Sequence, residues 1–220
     1  MDGDFWDIYD RSRLFVGLSV VLVLMYFWSC EFEIQSLIFG PSKRQLIYSG
    51  ALMTSRIDQG EFFRLPLSIL LHGDLLHLGL NTSAMWVLGR LCETVYGGLR
   101  SLVLFLLSGL CGAMFSWTMG TTLTVGASGG LFGLIGALVV FGWKYKNEIS
   151  DELGELLRSR LFVIGVLNLI LGLFLPMIDN PSHFGGFFMG IVLGLILGFR
   201  GKLHKYVSSN PTKKADDNQI

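Results

Sequence analysis

Six apolar runs, each close to the length that a helix needs to cross a bilayer, constrain this chain more than any other feature. A membrane-spanning helix takes about 17–25 mainly apolar residues. Charged residues are 15% of the chain and the mean hydropathy is +0.56, whereas roughly a quarter of the residues in soluble domains are charged. We therefore predict an all-α membrane protein with six transmembrane helices. The runs lie at residues 14–30, 74–96, 102–119, 127–143, 161–177 and 183–199.

Lys and Arg residues are divided unequally between the two sides of the predicted bundle. Thirteen lie in the N-terminus, the loops after the second and fourth spans, and the tail, whereas four lie in the long first loop, 31–73. Cytoplasmic loops carry the excess of positive charge, so we predict that both termini are cytoplasmic. The zero formal net charge suggests no nucleic-acid partner. The predicted organisation is a cytoplasmic segment, a membrane domain and a polar cytoplasmic tail, at 1–13, 14–200 and 201–220.

The predicted topology brings polar side chains from three distant spans to one level of the membrane. Spans two, four and six run from outside to inside, so their first turns all lie in its outer part. Histidine in a membrane segment is costly and is functional by default, with a partner expected. Packing alone does not explain so many polar groups at one depth, so we expect a functional site there. Its members are His72, His77, Asn81, Ser128 and His183.

Ser128 lies between Gly126 and Gly129 at the start of the fourth run. One interpretation is close helix packing, for which small residues are the usual device. The other is a nucleophile, because glycines let a substrate backbone approach. Unpaired N–H groups at the helix start would then face a developing oxyanion.

Glycines at helical spacing predict a close contact between the fourth and sixth spans. If the two glycine stripes face each other, Ser128 and His183 come within hydrogen-bond reach, which gives the pair that a base-activated nucleophile needs. His77 and Asn81 are four residues apart on one helical face. They would supply donors toward the same point, alongside the Ser128 backbone N–H. The stripes are Gly129, Gly133 and Gly136 on span four, and Gly186, Gly190 and Gly194 on span six.

Some of these polar residues admit other interpretations. His72 alone could bond a backbone carbonyl, and Asn81 could join helices. A zinc site is disfavoured because His72 and His77 are five residues apart, no His-Glu-x-x-His motif occurs, and Asp74 is the only nearby carboxylate. A transporter is disfavoured because Lys and Arg are absent from the mid-membrane and no matching broken helices occur. We expect no metal and no cofactor.

These motifs resemble those of the rhomboid family of intramembrane serine proteases, over residues 64–198. The family's Gly-x-Ser-Gly occurs at 126–129, and its second-helix His, His and Asn occur with the family spacing. The first loop has Phe63-Arg64 where the family more often has Trp-Arg, a departure limited to that loop contact. The remaining matches are an acidic residue twelve positions after the Asn, and a sixth-helix His followed by small residues. The matching residues are Arg64, His72, His77, Asn81, Glu93, Gly126, Ser128, Gly129, His183, Gly186 and Gly190.

The resemblance implies a Ser–His dyad without a third acid. Ser128 would attack the scissile carbonyl and His183 would move the proton, while His77, Asn81 and the Ser128 N–H would stabilise the oxyanion. His72 would be a polar group behind the site, and Glu93 and Arg64 would be structural. Asp179 is the only carboxylate in the loop before His183, and we expect it to face water instead of orienting the histidine.

The resemblance also implies the partners and location. The substrates would be single-span or other transmembrane proteins, cleaved near the outer membrane face in contact with lipid. The fifth helix and the loop at 176–182 resemble a lateral gate and cap. The compact six-helix form is typical of bacteria, which implies the cytoplasmic (inner) membrane. The alternative is a non-catalytic rhomboid-like scaffold that binds membrane clients. Loss of Ser128 or His183 would mark such a protein, and both are present.

Overall fold

A computed structural model describes residues 13–175 and 178–198. In these ranges the chain is helical, and its extended pairing is limited to one isolated antiparallel bridge between Leu52 and Thr124. A 3₁₀ turn follows α5, and π-helical segments join α6 to α7 and α10 to α11. The helices are α1 Leu14–Ser29, α2 Ile34–Phe39, α3 Lys43–Tyr48, α4 Thr54–Ile57, α5 Arg64–Leu67, α6 Leu75–Ala84, α7 Arg90–Tyr96, α8 Gly98–Thr118, α9 Ser128–Lys144, α10 Asp151–Glu155, α11 Leu161–Phe174 and α12 Asn180–Ile196.

In each of the six predicted apolar runs, most of the described residues are helical. Two continuous helical stretches, Gly98–Thr118 and Asp151–Phe174, are long and apolar enough to cross a membrane. The helices α1, α9 and α12 are apolar but shorter, at 16, 17 and 17 residues. The all-helical class is confirmed, while the count of six crossings stays a prediction.

The helical stretch that contains the fifth apolar run begins at Asp151, ten residues before the predicted start at 161. Ser150 caps it, because its side chain accepts a hydrogen bond from the Leu153 N–H at 3.3 Å. The first turns are charged and include Asp151 and Arg158, so an apolar run could not reveal them. The predicted end at 177, the end of the sixth run at 199, segment 1–12 and tail 201–220 lie outside the described residues.

The centre of the fold consists of α8, α9 and α12, and glycines set its dimensions. A Cβ added at Gly186 would overlap the carbonyl oxygen of Gly129, and one added at Gly190 would overlap that of Gly133. The two glycine stripes therefore face each other backbone to backbone. On its other side α9 packs against α8, where a Cβ at Gly130 would lie 2.6 Å from the Phe105 ring.

Glu93, which the resemblance makes structural, joins α7 to the start of α1. Its carboxylate accepts hydrogen bonds from the backbone N–H groups of Phe15 and Leu14, at 2.9 and 3.2 Å. These N–H groups have no partner within their own helix, and a carboxylate at a helix N-terminus is favourable to the helix dipole. Glu93 therefore fixes the first helix against the second helical stretch.

Arg64 joins distant parts of the first loop. Its guanidinium is buried and donates to the carbonyl oxygens of Ile47 and Ala51, at 2.8 and 3.0 Å. It also pairs with Glu61 at 2.6 Å, and its hydrogen bond is the main reason that the pKa of Glu61 is lowered. One side chain thus binds three points of the first loop.

Candidate active site

The starts of α9 and α12 bring a hydroxyl and an imidazole together. Ser128 is the first residue of α9 and His183 is in the first turn of α12. The Oγ atom of Ser128 lies 2.8 Å from Nε2 of His183. His183 is buried and Ser128 is partly buried. The structure therefore makes a hydrogen bond between the two residues that the sequence places at one depth.

Phe132 fixes the plane of the imidazole. Its ring stacks on that of His183 with centroids 4.2 Å apart and planes 14° apart. Sequence reasoning missed this residue. The signal was available, because Phe132 is four positions after Ser128 and so lies on the same face of α9. The contact restricts rotation of the His183 ring and keeps Nε2 directed at the hydroxyl.

His77 lies on the other side of the loop that carries Ser128. A Cβ added at Gly126 would lie 2.7 Å from both Cε1 and Nε2 of His77, and 3.8 Å from Ser128 Oγ. Gly126 also has φ +130°, a conformation that a side chain rarely adopts. Only glycine at this position lets the His77 ring come so close to the backbone that precedes Ser128.

Asn81 and His72 complete the polar face of α6 and its entry. Asn81 is buried, and its side-chain amide donates to the His77 carbonyl oxygen at 2.9 Å. One N–H group of the amide thus donates within the helix, and its other N–H group is left for another acceptor. His72 is fully buried, with its ring edge-on to that of His77 at a centroid distance of 5.0 Å. His72 therefore supports His77 from behind.

The carboxylate of Asp179 binds protein donors, whereas we expected from the sequence that it would face water. It is partly buried, and one carboxylate oxygen accepts hydrogen bonds from the hydroxyls of Ser116 and Thr124, at 2.5 and 2.8 Å. The other accepts from the Ser182 N–H at 3.1 Å. The carboxylate is thus occupied by these three donors, and Nδ1 of His183 has no hydrogen-bond partner among the described residues.

The arrangement can support acyl transfer. A serine hydroxyl in contact with an imidazole can act as a base-activated nucleophile. Ala127, the residue before α9, makes no side-chain hydrogen bond to the helix start, so no capping side chain covers the N–H groups there. Within residues 13–175 and 178–198, no group of three His, Cys, Asp or Glu side chains is placed to hold a metal ion.

Comparison with known proteins identifies the family to which this site belongs. The family described as "Rhomboid domain" matches residues 59–200, which is more than half of the chain and includes every polar residue of the site. The chain belongs to the rhomboid family. Rhomboid proteins are integral membrane proteins and are commonly intramembrane proteases. The resemblance predicted from the motifs is thereby confirmed.

Three similar proteins are themselves rhomboids. RHOMBOID-like protein 5 of Arabidopsis thaliana is 38% identical over 173 residues, which are 76% of this chain and 54% of that protein. Rhomboid protease GluP of Bacillus subtilis is 32% identical over 184 residues, 84% of this chain and 35% of GluP. Inactive RHOMBOID-like protein 8 of A. thaliana is 32% identical over 193 residues, 85% of this chain and 54% of that protein.

These relatives are longer than the region that they share with this chain. The match spans between about a third and just over a half of each of the three. One relative is named a protease and another is named inactive. Membership of the family therefore supports proteolysis without deciding whether this chain is active, and that decision depends on the residues of the site.

Proposed function

We propose that this protein is an intramembrane serine endopeptidase that cleaves transmembrane protein substrates near the outer membrane face by a Ser–His dyad. The observation that carries the proposal is the 2.8 Å contact between Ser128 Oγ and His183 Nε2. These residues are 55 positions apart in sequence, and each is in the first turn of its helix. Two helix starts that meet through a hydroxyl and an imidazole favour catalysis over packing.

In the proposed reaction Ser128 attacks the scissile carbonyl carbon and His183 Nε2 takes the hydroxyl proton. His183 returns this proton to the amine that leaves when the C–N bond breaks, so the substrate is held as an ester on Ser128. Water then hydrolyses the ester, again with His183 as the base. For Nε2 to accept the proton, the neutral ring must carry its own proton on Nδ1.

Three donors are proposed to stabilise the oxyanion: the His77 ring, the Asn81 amide and the backbone N–H of Ser128. Their positions support this role because His77 and Ser128 Oγ both lie close to Gly126, and Asn81 keeps one amide N–H bond for another acceptor. Donors fixed in place before the reaction are worth about 10²- to 10³-fold in rate each. We assign no catalytic role to His72, Glu93 or Arg64, whose contacts are structural.

The proposal includes the membrane arrangement. Six spans within 14–200, both termini in the cytoplasm and a polar tail at 201–220 are supported by the apolar runs and the distribution of Lys and Arg. This places the starts of α9 and α12 in the outer part of the membrane. The kinship with a Bacillus subtilis protein supports a bacterial cytoplasmic membrane, although the similar plant proteins show that the family is wider than bacteria.

A non-catalytic rhomboid that binds membrane clients is the second candidate, and the relative named inactive favours considering it. The presence of both Ser128 and His183, in contact, argues against it here. The two functions predict different results for the same protein, because a scaffold would bind a client without cutting it.

The proposal is tested with a single-span reporter reconstituted with the purified protein. Ser128→Ala should abolish cleavage and leave expression and monodispersity intact. Ser83→Ala is the matched control, because Ser83 is an exposed serine of α6, and it should cleave like the wild type. Cleavage that persists in Ser128→Ala would refute the role of Ser128, and an inactive wild type would favour the scaffold.

A further inference from the structure

Asp179 joins the two backbone segments that carry the reacting side chains. It is four residues before His183, and its partner Thr124 is four residues before Ser128. We propose that Asp179 is a positioning residue that holds the loop of Ser128 and the helix of His183 in register through Thr124 and Ser116. This inference rests on the proposed function and adds to it a residue that acts through others and does not contact the substrate.

On the histidine side, Asp179 determines how α12 begins. It is the N-cap residue, with one carboxylate oxygen 3.1 Å from the Ser182 N–H. Its carbonyl oxygen accepts the first helical hydrogen bond, from the His183 N–H at 3.2 Å. A capping carboxylate is favourable to the helix dipole. The position of the His183 backbone is therefore coupled directly to that of Asp179.

On the serine side, Thr124 is itself fixed. Its backbone exchanges two hydrogen bonds with Leu52, at 3.0 and 3.1 Å, and Gly126 N–H donates to the Ser68 carbonyl oxygen at 2.9 Å. The Thr124 hydroxyl then donates to Asp179 at 2.8 Å. The loop before Ser128 is thus held by the first loop on one side and by the start of α12 on the other.

Ser116 gives the carboxylate a third point of attachment. It is fully buried near the end of α8, and its hydroxyl donates to the same oxygen as Thr124. A carboxylate that accepts several hydrogen bonds has a fixed orientation, since each donor restrains a different direction. The fixed carboxylate in turn fixes the two backbone segments, and therefore the 2.8 Å distance between Ser128 Oγ and His183 Nε2. A displacement of about 1 Å at a reacting group can cost about 100-fold in rate.

Capping and positioning can be separated by one substitution. Asp179→Ser keeps an N-cap oxygen for the Ser182 N–H, because serine is as good a cap as aspartate. Its side chain is too short, and has too few acceptors, to bind both the Ser116 and Thr124 hydroxyls. If Asp179 only stabilises the helix, Asp179→Ser should match the wild type. If it positions the dyad, the variant should fold normally and react slowly.

The measurement is the rate at which a fluorophosphonate labels Ser128 in the purified protein, together with kcat and KM on the reporter. We expect Asp179→Ser to slow labelling about 10- to 100-fold, and to lower kcat with an unchanged KM, in a protein that stays folded at the assay temperature. Thr124→Val removes one donor and should have a smaller effect. Combined with Asp179→Ser it should add nothing, because the two act on one contact.

Asp58→Ser is the matched control. Asp58 accepts a hydrogen bond from the Trp117 indole N–H at 2.8 Å, so it also joins the first loop to the end of α8, but without contact to either segment of the dyad. It should label at the wild-type rate. Labelling of Asp179→Ser at the wild-type rate would overturn the inference and leave the proposed function intact. A wild type that neither cleaves nor labels would overturn the proposed function, and the inference with it.

Discussion

The two consecutive helices α11 and α12 are both apolar, but they are held in opposite ways. In α12 the residues Gly186 and Gly190 are buried against the backbone of α9, so that no side chain separates the two helices. In α11 only Leu161 and Gly165 are buried, and large side chains face outward. Phe162, Leu167 and Phe174 are 46%, 58% and 75% exposed.

This difference indicates which part of the fold is rigid and which part can move. A backbone-to-backbone contact cannot adjust by rotation of side chains, so α12 holds His183 at a fixed distance from α9. The contact of α11 with α12 includes one hydrogen bond, from the Asn180 amide to the Leu169 carbonyl oxygen at 3.0 Å. We therefore expect α11 to move more readily than α12, as the gate implied by the family resemblance would require.

The largest effect is expected from a glycine-to-alanine substitution in α12, which is compared with the same substitution in α11. Gly186→Ala places a Cβ into the carbonyl oxygen of Gly129, which must push α12 away from α9. We expect cleavage to fall about 100-fold or more, because Ser128 and His183 separate. The measurement is kcat/KM on the reporter.

Gly165→Ala is the matched change in α11. Its Cβ would lie 3.6 Å from Cγ2 of Ile135, an ordinary contact, and alanine favours a helix over glycine by about 0.5–1 kcal/mol. We expect wild-type cleavage and equal or higher thermal stability. An equal loss of kcat/KM in the two variants would contradict the difference in packing between the two helices.

A smaller effect is expected from the aromatic residues of the two regions. Phe132→Ala removes the ring that stacks on His183, and an aromatic pair contributes about 0.5–1.5 kcal/mol beyond its buried area. If all of this energy is lost from the transition state, kcat falls by up to about tenfold. Phe162→Ala on the exposed face of α11 should leave kcat unchanged. A wild-type kcat in Phe132→Ala would show that the Phe132 ring does not position His183.

The smallest effect is expected where α11 and α12 meet. Asn180→Ala removes the bond to the Leu169 carbonyl oxygen, and such bonds in membranes are worth about 0.6 kcal/mol on average. The thermal midpoint should fall slightly while kcat does not fall. Asn168→Ala is the control, because the Asn168 amide donates within its own helix, to the Ile164 carbonyl oxygen. A loss of kcat in Asn180→Ala as large as in Phe132→Ala would contradict a loosely held α11.

The sequence could predict those parts of the site in which residues repeat at the spacing of helical turns. Gly129 and Gly133 on one helix, and Gly186 and Gly190 on another, repeat every four residues, and only close packing requires such repeats. Together with the alternating direction of the spans, they placed His183 near Ser128. The surfaces through which the two helices face each other were therefore readable without a structure.

The remaining features depend on contacts that no local pattern encodes. The contacts of Asp179 could not be predicted, because its partners Ser116 and Thr124 are 63 and 55 residues away in sequence. The residues after it did carry a signal, since a proline in the first turn, at Pro181, is typical of a capped helix start. The short helices of the first loop, such as α4 and α5 with four residues each, are too brief for any period to be visible.

The central claim is that the contact with His183 makes Ser128 a nucleophile, and active-site labelling tests it most directly. The wild type should be modified by a fluorophosphonate at Ser128, as located by peptide mass spectrometry, and His183→Ala should not be modified although it remains folded. Equal labelling of the two proteins, or labelling of a serine other than Ser128, would contradict the assignment of the dyad.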